Sequence, residues 1–452
     1  MNKDRFIHEL ADFISIPSIS AMPKHNRDVI NAAEWVKNRL ISAGAEGVSV
    51  MKTGGHPAVY GEWLKAGPNK PTVLIYGHYD VQPVDPLSLW ETDPFKPKIR
   101  DGLIFGRGAS DDKGSMLTPI IAFEAILNTQ ENFPINVKFL FEGQEEIASP
   151  QMSKFVAQNK KKLACDMIFS ADGGQWSETE ACIVVALKGI LGFEIEVRGP
   201  KSDQHSGLRG AAIANPIMAL AQLISSMKSR DGKIAIQGFY DNVIELSASD
   251  RNEIAKLPFK EKDFLQAVGV DELFGEDGFS TLERIGARPT LDLNGVYGGY
   301  QGDGVKTVLP SSASAKITCR LVAEQDPKKV FEQVKKHVAA HTPPGVKVRI
   351  DLSEFGDPFQ IPENHLATAV AREVLAEVYG KEPYVDRIGG SIPILPIFLR
   401  ELGVHTTLFA FGLEDENMHA PNEFFRLTSF YKGQVSYCKL FNKLGTIQSQ
   451  ET

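Results

Sequence analysis

Cysteine is scarce in this chain: Cys165, Cys182, Cys319 and Cys438 stand far apart, with no paired spacing among 452 residues. That excludes a disulfide framework or a zinc ribbon and fits thiols kept reduced in a cytoplasm. Long apolar runs are missing as well, and none could span a bilayer. The stretch Met1–Arg5 leads into an amphipathic segment and not an apolar signal core, so neither secretion nor membrane anchoring is expected. Positive charge is in deficit. A formal net charge of -8 disfavours nucleic acid and anionic membrane as partners, while a small charged substrate stays open. There is no internal repeat and no low-complexity tract. The remainder, 42% hydrophobic and 23% charged, is the mix of a folded globular protein, and its length is too great for one ordinary core. Two domains are expected.

The organising stretch is Gly77-His78-Tyr79-Asp80, which follows the apolar, β-branched run Val73-Leu74-Ile75-Tyr76. That run reads as a buried strand, and in open parallel sheets ligands bind at the carboxyl ends of strands. His78 and Asp80 leave an extended chain on one face, so Asp80 is placed to fix the ring of His78. Helices are predicted over residues 28–42, up to about 128 after Gly114, over 150–162, 365–379, 391–402 and 429–444. Strands are predicted at 48–51, 58–63, 136–141, 167–170 and 406–411. Pro119 falls inside one of these helices. Strands alternating with helices predict an α/β fold with a mostly parallel sheet flanked by helices. Between about 188 and 355 the pattern changes to alternating strands near 193–197, 290–293, 314–322 and 346–352, with helices over 215–229 and 326–341. It reads as an inserted α+β domain of β-α-β-β-α-β type, with 230–288 irregular. The catalytic domain is then expected from 1–187 and 356–452.

His78, Asp111, Glu145, Glu146, Asp172 and His419 all fall at or after the ends of the predicted strands or of the loop between them. Each has an ordinary explanation. Asp111-Asp112 could cap a helix, Glu145-Glu146 could be a solvated turn, Asp172-Gly173 is a usual turn pair, and His419 could be a loop residue. Independent accidents do not place His or an acid at each successive strand end of one sheet. Two imidazoles and several carboxylates suit zinc, manganese or cobalt. Six candidates suggest two cations sharing a carboxylate, with a water made nucleophilic between them and one member of the Glu-Glu pair as general base.

These residues carry a resemblance. Gly77-His78-Tyr79-Asp80-Val81-Gln82-Pro83, Trp90–Phe95, Gly106–Gly114, Glu142-Gly143-Gln144-Glu145-Glu146, His205-Ser206-Gly207, Gly389–Pro393 and Met418-His419 run in the same order as the motifs of the M20 family of di-metal peptidases. The chain resembles that family's dipeptidase branch, the carnosinase and cytosolic non-specific dipeptidase type. The resemblance implies that Asp111 bridges two metals, that His78 and Asp172 complete one site, and that Glu146 and His419 complete the other. It implies Glu145 as the base, Asp80 as the residue holding His78, and a cis Asp111–Asp112 bond. It further implies a lid and dimerisation domain whose His205 reaches a partner's site to stabilise the oxyanion, with Arg320, Thr307 and Ser391 as substrate contacts. Two departures stand out: Asp203-Gln204-His205-Ser206-Gly207 where the family commonly has Asp-Leu-His-Ser-Gly, and Gly173-Gly174-Gln175-Trp176 after Asp172 in place of an Asn-Tyr-Trp run.

The expectation is therefore a cytoplasmic, homodimeric metallopeptidase acting on dipeptides or short peptides with a free carboxyl end. Two divalent ions per subunit are expected, zinc first, with manganese or cobalt as alternatives. The competing readings are an N-acyl amino acid deacylase or desuccinylase of the same family, and a non-catalytic binding module that kept the fold.

Overall fold

A computed structural model of the chain describes residues 3–130, 132–362 and 364–447. Met1 and Asn2, part of the amino-terminal stretch read above, lie outside the described residues. In chain order the principal strands are β1 (Glu46–Met51), β2 (Ala58–Trp63), β3 (Thr72–His78), β4 (Asn136–Glu142), β5 (Met167–Ser170), β6 (Gly189–Arg198), β7 (Thr290–Gly298), β8 (Ser312–Leu321), β9 (Lys347–Gly356) and β10 (Thr406–Leu408). The principal helices are α1 (Lys3–Ile14), α2 (Asn26–Ala43), α3 (Ser115–Thr129), α4 (Met152–Gln158), α5 (Pro216–Ser226), α6 (Pro327–His341), α7 (Leu366–Tyr379), α8 (Ile394–Leu402) and α9 (Leu427–Leu444). They form two compact units. The first comprises Met1–Val185, Ile361–Val385 and Ile392–Thr452, and the second Ala186–Gln360 with Asp386–Ser391.

The first unit is built on a six-stranded sheet of order β1-β2-β4-β3-β5-β10. From β4 to β10 the strands are parallel. At the other edge β1 and β2 pair antiparallel, because only a short link joins them, and β2 pairs antiparallel with β4. Six of the seven residues of β3 are buried, and all seven of β4. That is the apolar run of a central parallel strand covered on both faces. Phe123, Phe139, Phe141, Phe169, Phe409 and Tyr437 are among the aromatic residues of the core. α9 packs on α3, and α8 against α4.

Pro119 does not break α3. Its missing N–H leaves the Ser115 carbonyl without its helical donor, and the Thr118 hydroxyl donates to that carbonyl at 2.7 Å instead. The helix predicted over 150–162 is two shorter ones, α4 and Lys160–Leu163, and the one predicted from 391 starts at Ile394.

The second unit is a four-stranded antiparallel sheet of order β7-β8-β6-β9 with α5 and α6. Its chain order is β-α-β-β-α-β. Leu191, Phe193, Ile195 and Val197 of β6 share a core with Leu220, Leu223, Val330 and Val334. Asn215 and Asp326 cap the two helices through side-chain oxygens, each followed by a proline in the first turn. The stretch 230–288 is not irregular throughout: Ala248–Lys256, Glu261–Val268 and Thr281–Ala287 are short helices, two of them opened by capping boxes at Ser247 and Ser280. Their apolar stripes are too short to show as helical periodicity.

Parallel pairing continues past the strand ends, where Gly174 bridges Gly412. A Cβ at Gly174 would lie 2.4 Å from the Gly412 carbonyl oxygen, which is backbone and cannot rotate aside. Gly174→Ala is therefore expected to destabilise the fold by about 1–3 kcal/mol, the usual size of an overpacking defect, read from its urea midpoint against the wild type.

Candidate metal centre

Four adjacent parallel strands end at one edge of the first sheet. β3 ends in His78, β4 leads to Glu145 and Glu146, β5 leads to Asp172, and the chain after β10 reaches His419. Asp111 arrives from the segment before α3, where the backbone is extended (φ -116°, ψ 97°) within a widened helical turn and the Asp111–Asp112 bond is cis. His419 is set by an unusual loop in which Asn417, His419 and Asn422 all take left-handed φ values of 55°, 62° and 61°. Asn tolerates that region; for His it is a strained placement held by its surroundings.

These side chains meet. His78 Nε2 lies 3.0 Å from one oxygen of Asp111, and His419 Nε2 lies 2.8 Å from the other. His419 Nε2 is also 3.2 Å from Glu146 Oε2. Donor atoms of His78, Asp111 and Asp172 all lie within 4.8 Å of one another, as do those of Asp111, Glu146 and His419. Asp111 thus belongs to two trios of imidazole and carboxylate donors. That donor chemistry fits two borderline divalent cations, with Asp111 offering one oxygen to each. His78 is 1% exposed and His419 55%, so the centre is closed behind and open on the His419 side.

The electrostatics are those of a crowded, dry acid cluster. Burial pushes Glu145 well above the usual carboxylate range and raises Glu146 too, with neighbouring acids adding to both. Burial pushes Asp172 up to about 7. Burial opposes ionisation of Asp111 as well, but hydrogen bonds from His419 and His78 win and hold it below its ordinary value. His419 is driven up to about 10 by Asp111 and Glu146. Burial disfavours charge on His78, yet Asp111 and Asp80 overrule it and raise its pKa. Both imidazoles are thus favoured in their charged form by the acids around them.

Asp80 lies beside the ring of His78 and does more besides. The Nδ1 of His78 sits 3.1 Å from the Asp80 backbone carbonyl, with the carboxylate farther off at 3.5 Å. The two carboxylate oxygens instead accept the amide hydrogens of Glu145 and Glu146, each at 3.1 Å. Consecutive amides of the turn face the carboxylate and compete better for it than the ring does. Asp80 therefore holds both halves of the centre, His78 through its backbone and the Glu145-Glu146 turn through its side chain.

Sequence reasoning missed the carboxylates that shape the Asp111 loop. Glu423 is fully buried, pairs with Arg107 at 2.6 Å, and accepts amide hydrogens from Gly108, Ser110 and Asp111 at 2.9, 3.0 and 3.1 Å. Glu416, also buried, accepts the Ser110 hydroxyl at 2.6 Å and the amides of Leu413 and Arg426. Both acids flank His419 in sequence, so the His419 and Asp111 loops are one hydrogen-bonded body. Gln82 donates to Glu146 at 2.8 Å. The only sequence signal was position: Glu423 closes the His-Ala-Pro-Asn-Glu stretch, and nothing local marks it as buried.

The remaining expected residues belong to the second unit. His205 is exposed and lies on a two-residue ladder with Val308, next to Thr307, whose carbonyl accepts the Ser206 amide at 3.0 Å. His205 Nδ1 accepts the Gly207 amide at 3.1 Å, which leaves Nε2 facing away from its own turn. Arg320, half-buried on β8, donates to Ser391 Oγ at 3.1 Å, and Ser391 donates to the Lys188 carbonyl. Burial pushes Lys188 down to about 7, with the neighbouring Arg320 adding to the effect.

Residues 74–443 match the family described as Peptidase family M20/M25/M40. The chain is 31% identical over 98% of its length to a Cys-Gly metallodipeptidase of Schizosaccharomyces pombe, covering 96% of that protein. It is 26% identical over 99% of its length to the Beta-Ala-His dipeptidase of Homo sapiens, covering 91% of it. Among solved structures, an M20 family metallo-carboxypeptidase from Sulfolobus solfataricus superposes with a TM-score of 0.86 at 33% identity, over 98% of this chain and all of that one.

If Glu423 sets the Asp111 loop, Glu423→Gln keeps the shape but loses the charge that faces Arg107 and three amides. Affinity for zinc, measured by competition with a chromophoric chelator, is expected to fall by about 10- to 100-fold, the usual penalty for loss of an outer partner of a metal ligand.

Proposed function

The chain belongs to peptidase family M20/M25/M40, and from that premise we propose a two-cation dipeptidase that cleaves dipeptides and short peptides bearing a free carboxyl end. The observation that carries the reading is Asp111, shared between two trios of metal-type donors. Asp111 would hold both cations, His78 and Asp172 one of them, Glu146 and His419 the other. When bound, such a pair of cations polarises the scissile carbonyl and makes a nearby water acidic at neutral pH. Zinc is the first expectation, with manganese or cobalt also suited to these donors.

Glu145 takes the proton from the attacking water and returns it to the leaving amine. Its carboxyl is buried and pushed well up, the environment of a base that must both accept and release a proton. Arg320, steadied by Ser391, pairs with the substrate carboxylate, and Thr307 lines the same binding surface. His205 of the partner subunit donates to the developing oxyanion. A homodimer through the second unit is supported by β7, an edge strand of its sheet with Leu293, Val296 and Tyr297 exposed beside Ile217 of α5. A second copy covering that face would remove an edge and an apolar patch together. No helix among the described residues is long and apolar enough to cross a membrane. Cys165, Cys319 and Cys438 are free thiols, which supports a cytoplasmic location.

The deacylase and desuccinylase readings are not favoured, since the Schizosaccharomyces pombe and Homo sapiens relatives are both dipeptidases by name. A second reading comes from the Sulfolobus solfataricus structure, a metallo-carboxypeptidase by title, which favours trimming of longer chains. Dipeptides, tripeptides, amino-blocked peptides and N-acyl amino acids assayed side by side decide among these, with fastest turnover expected on dipeptides. Glu145→Ala is expected to lower kcat by about 100- to 10,000-fold while the protein retains two metals per chain by elemental analysis. Arg320→Met should act mainly on KM, since it removes a contact made in ground and transition states alike. Dialysis against a chelator should abolish turnover, and restored zinc should return it.

A further inference from the structure

The Glu145-Glu146 turn is gripped at both ends, and only the Asp80 end is explained by the metal centre. The other grip starts at Glu142, the last residue of β4, paired in parallel register with His78. Its side chain is fully buried, and one carboxyl oxygen accepts the hydroxyls of Tyr76 at 2.8 Å and Ser149 at 3.0 Å. The other oxygen has no hydrogen-bond partner among the described residues. A buried carboxyl so incompletely paired is costly to the fold, and an apolar residue at the end of a buried strand would be the cheaper choice.

Ser149 explains what the carboxyl holds. From Glu142 the chain loops out through Glu145 and Glu146 and returns at Ala148 and Ser149, both in left-handed conformations (φ 67° and 48°). Ala148 donates its amide to the Glu145 carbonyl at 2.7 Å, and Ser149 donates its own to the Gln144 carbonyl at 2.9 Å. The Ser149 carbonyl then accepts the Met152 amide at 3.0 Å, rooting the turn on α4. Two successive non-glycine residues in that region cost about 1 kcal/mol or more each and persist only where the surroundings over-determine them. The bond from Ser149 to Glu142 supplies that constraint, closing the turn from inside.

We propose that Glu142 is a positioning residue for hydrolysis: through Ser149 it latches the turn that presents Glu145 to the attacking water. This deepens the reading of Glu145 as the base and rests on it. A misplacement of the base by about 1 Å is enough to cost about 100-fold in rate. Asp80 fixes the tip of the turn and Glu142 its root, so the carboxyl of Glu145 has little room to drift.

The test uses the full-length, zinc-loaded protein and a dipeptide substrate. Glu142→Ala, Glu142→Gln, Ser149→Ala and the control Glu145→Gln are compared for kcat, KM, bound zinc and thermal midpoint. Glu142→Ala and Ser149→Ala are expected to lower kcat by about 10- to 100-fold, with KM and zinc content near wild type. Glu142→Gln keeps an acceptor oxygen at the same place and is expected to restore most of the loss. Should Glu142→Ala fail to fold, Ser149→Ala still decides, since it deletes one hydroxyl only. Wild-type kcat in Ser149→Ala overturns the latch, as does a loss that merely follows zinc loss or unfolding, or a Glu142→Gln variant as slow as Glu142→Ala. An active Glu145→Gln overturns the assignment of the base itself, and the latch with it.

Discussion

Negative charge concentrated in a dry place governs this molecule. Asp111, Glu145, Glu146 and Asp172 lie within electrostatic reach of one another, and burial pushes three of the four above the ordinary carboxylate range. Two imidazoles cannot neutralise four ionised acids, so the cluster either binds protons, as its raised carboxyls do, or takes in further positive charge among its oxygens. The two trios that share Asp111 are where donor atoms lie close enough together to host it. The same repulsion that makes the site a good host for cations would force its loops apart if the donors had to hold themselves together.

They do not have to. The loops are set by a second group of carboxylates, outside the two trios, that accept backbone amides. Asp80 takes the amides of Glu145 and Glu146, Glu423 those of Gly108, Ser110 and Asp111, and Glu416 those of Leu413 and Arg426. An ionised oxygen accepting several amide hydrogens is among the stronger arrangements available inside a protein. The result is a division of labour among acids of identical chemistry. Those in the two trios offer donor atoms to the centre, and those that accept backbone amides brace the loops around it. Arg107, 1% exposed and paired with Glu423, keeps one wall neutral.

Local pattern revealed the strands well because a buried parallel strand is a short apolar run with a turn after it, and Met167–Ser170 falls where the run does. It revealed the alternating strands of the second unit for the same reason, with period two in place of a continuous run. It failed where structure rests on partners distant in the chain. The helices between 248 and 287 depend on caps and short contacts, and Pro119 looked disruptive because the Thr118 hydroxyl that stands in for its missing donor has no periodic signature. Asp80 was expected to hold His78, and the two amides that its carboxylate also accepts were invisible before the turn at Glu145 had a shape.

What the sequence determined by itself was which strands are followed by an imidazole or an acid, since a strand's end and the residues that follow it are local facts. Which acids gather with the imidazoles and which brace the loops was decided only by the tertiary structure. Burial and hydrogen-bond partners are properties of the folded neighbourhood: Glu423 meets Arg107 across 316 positions of chain, and no window of sequence contains them both.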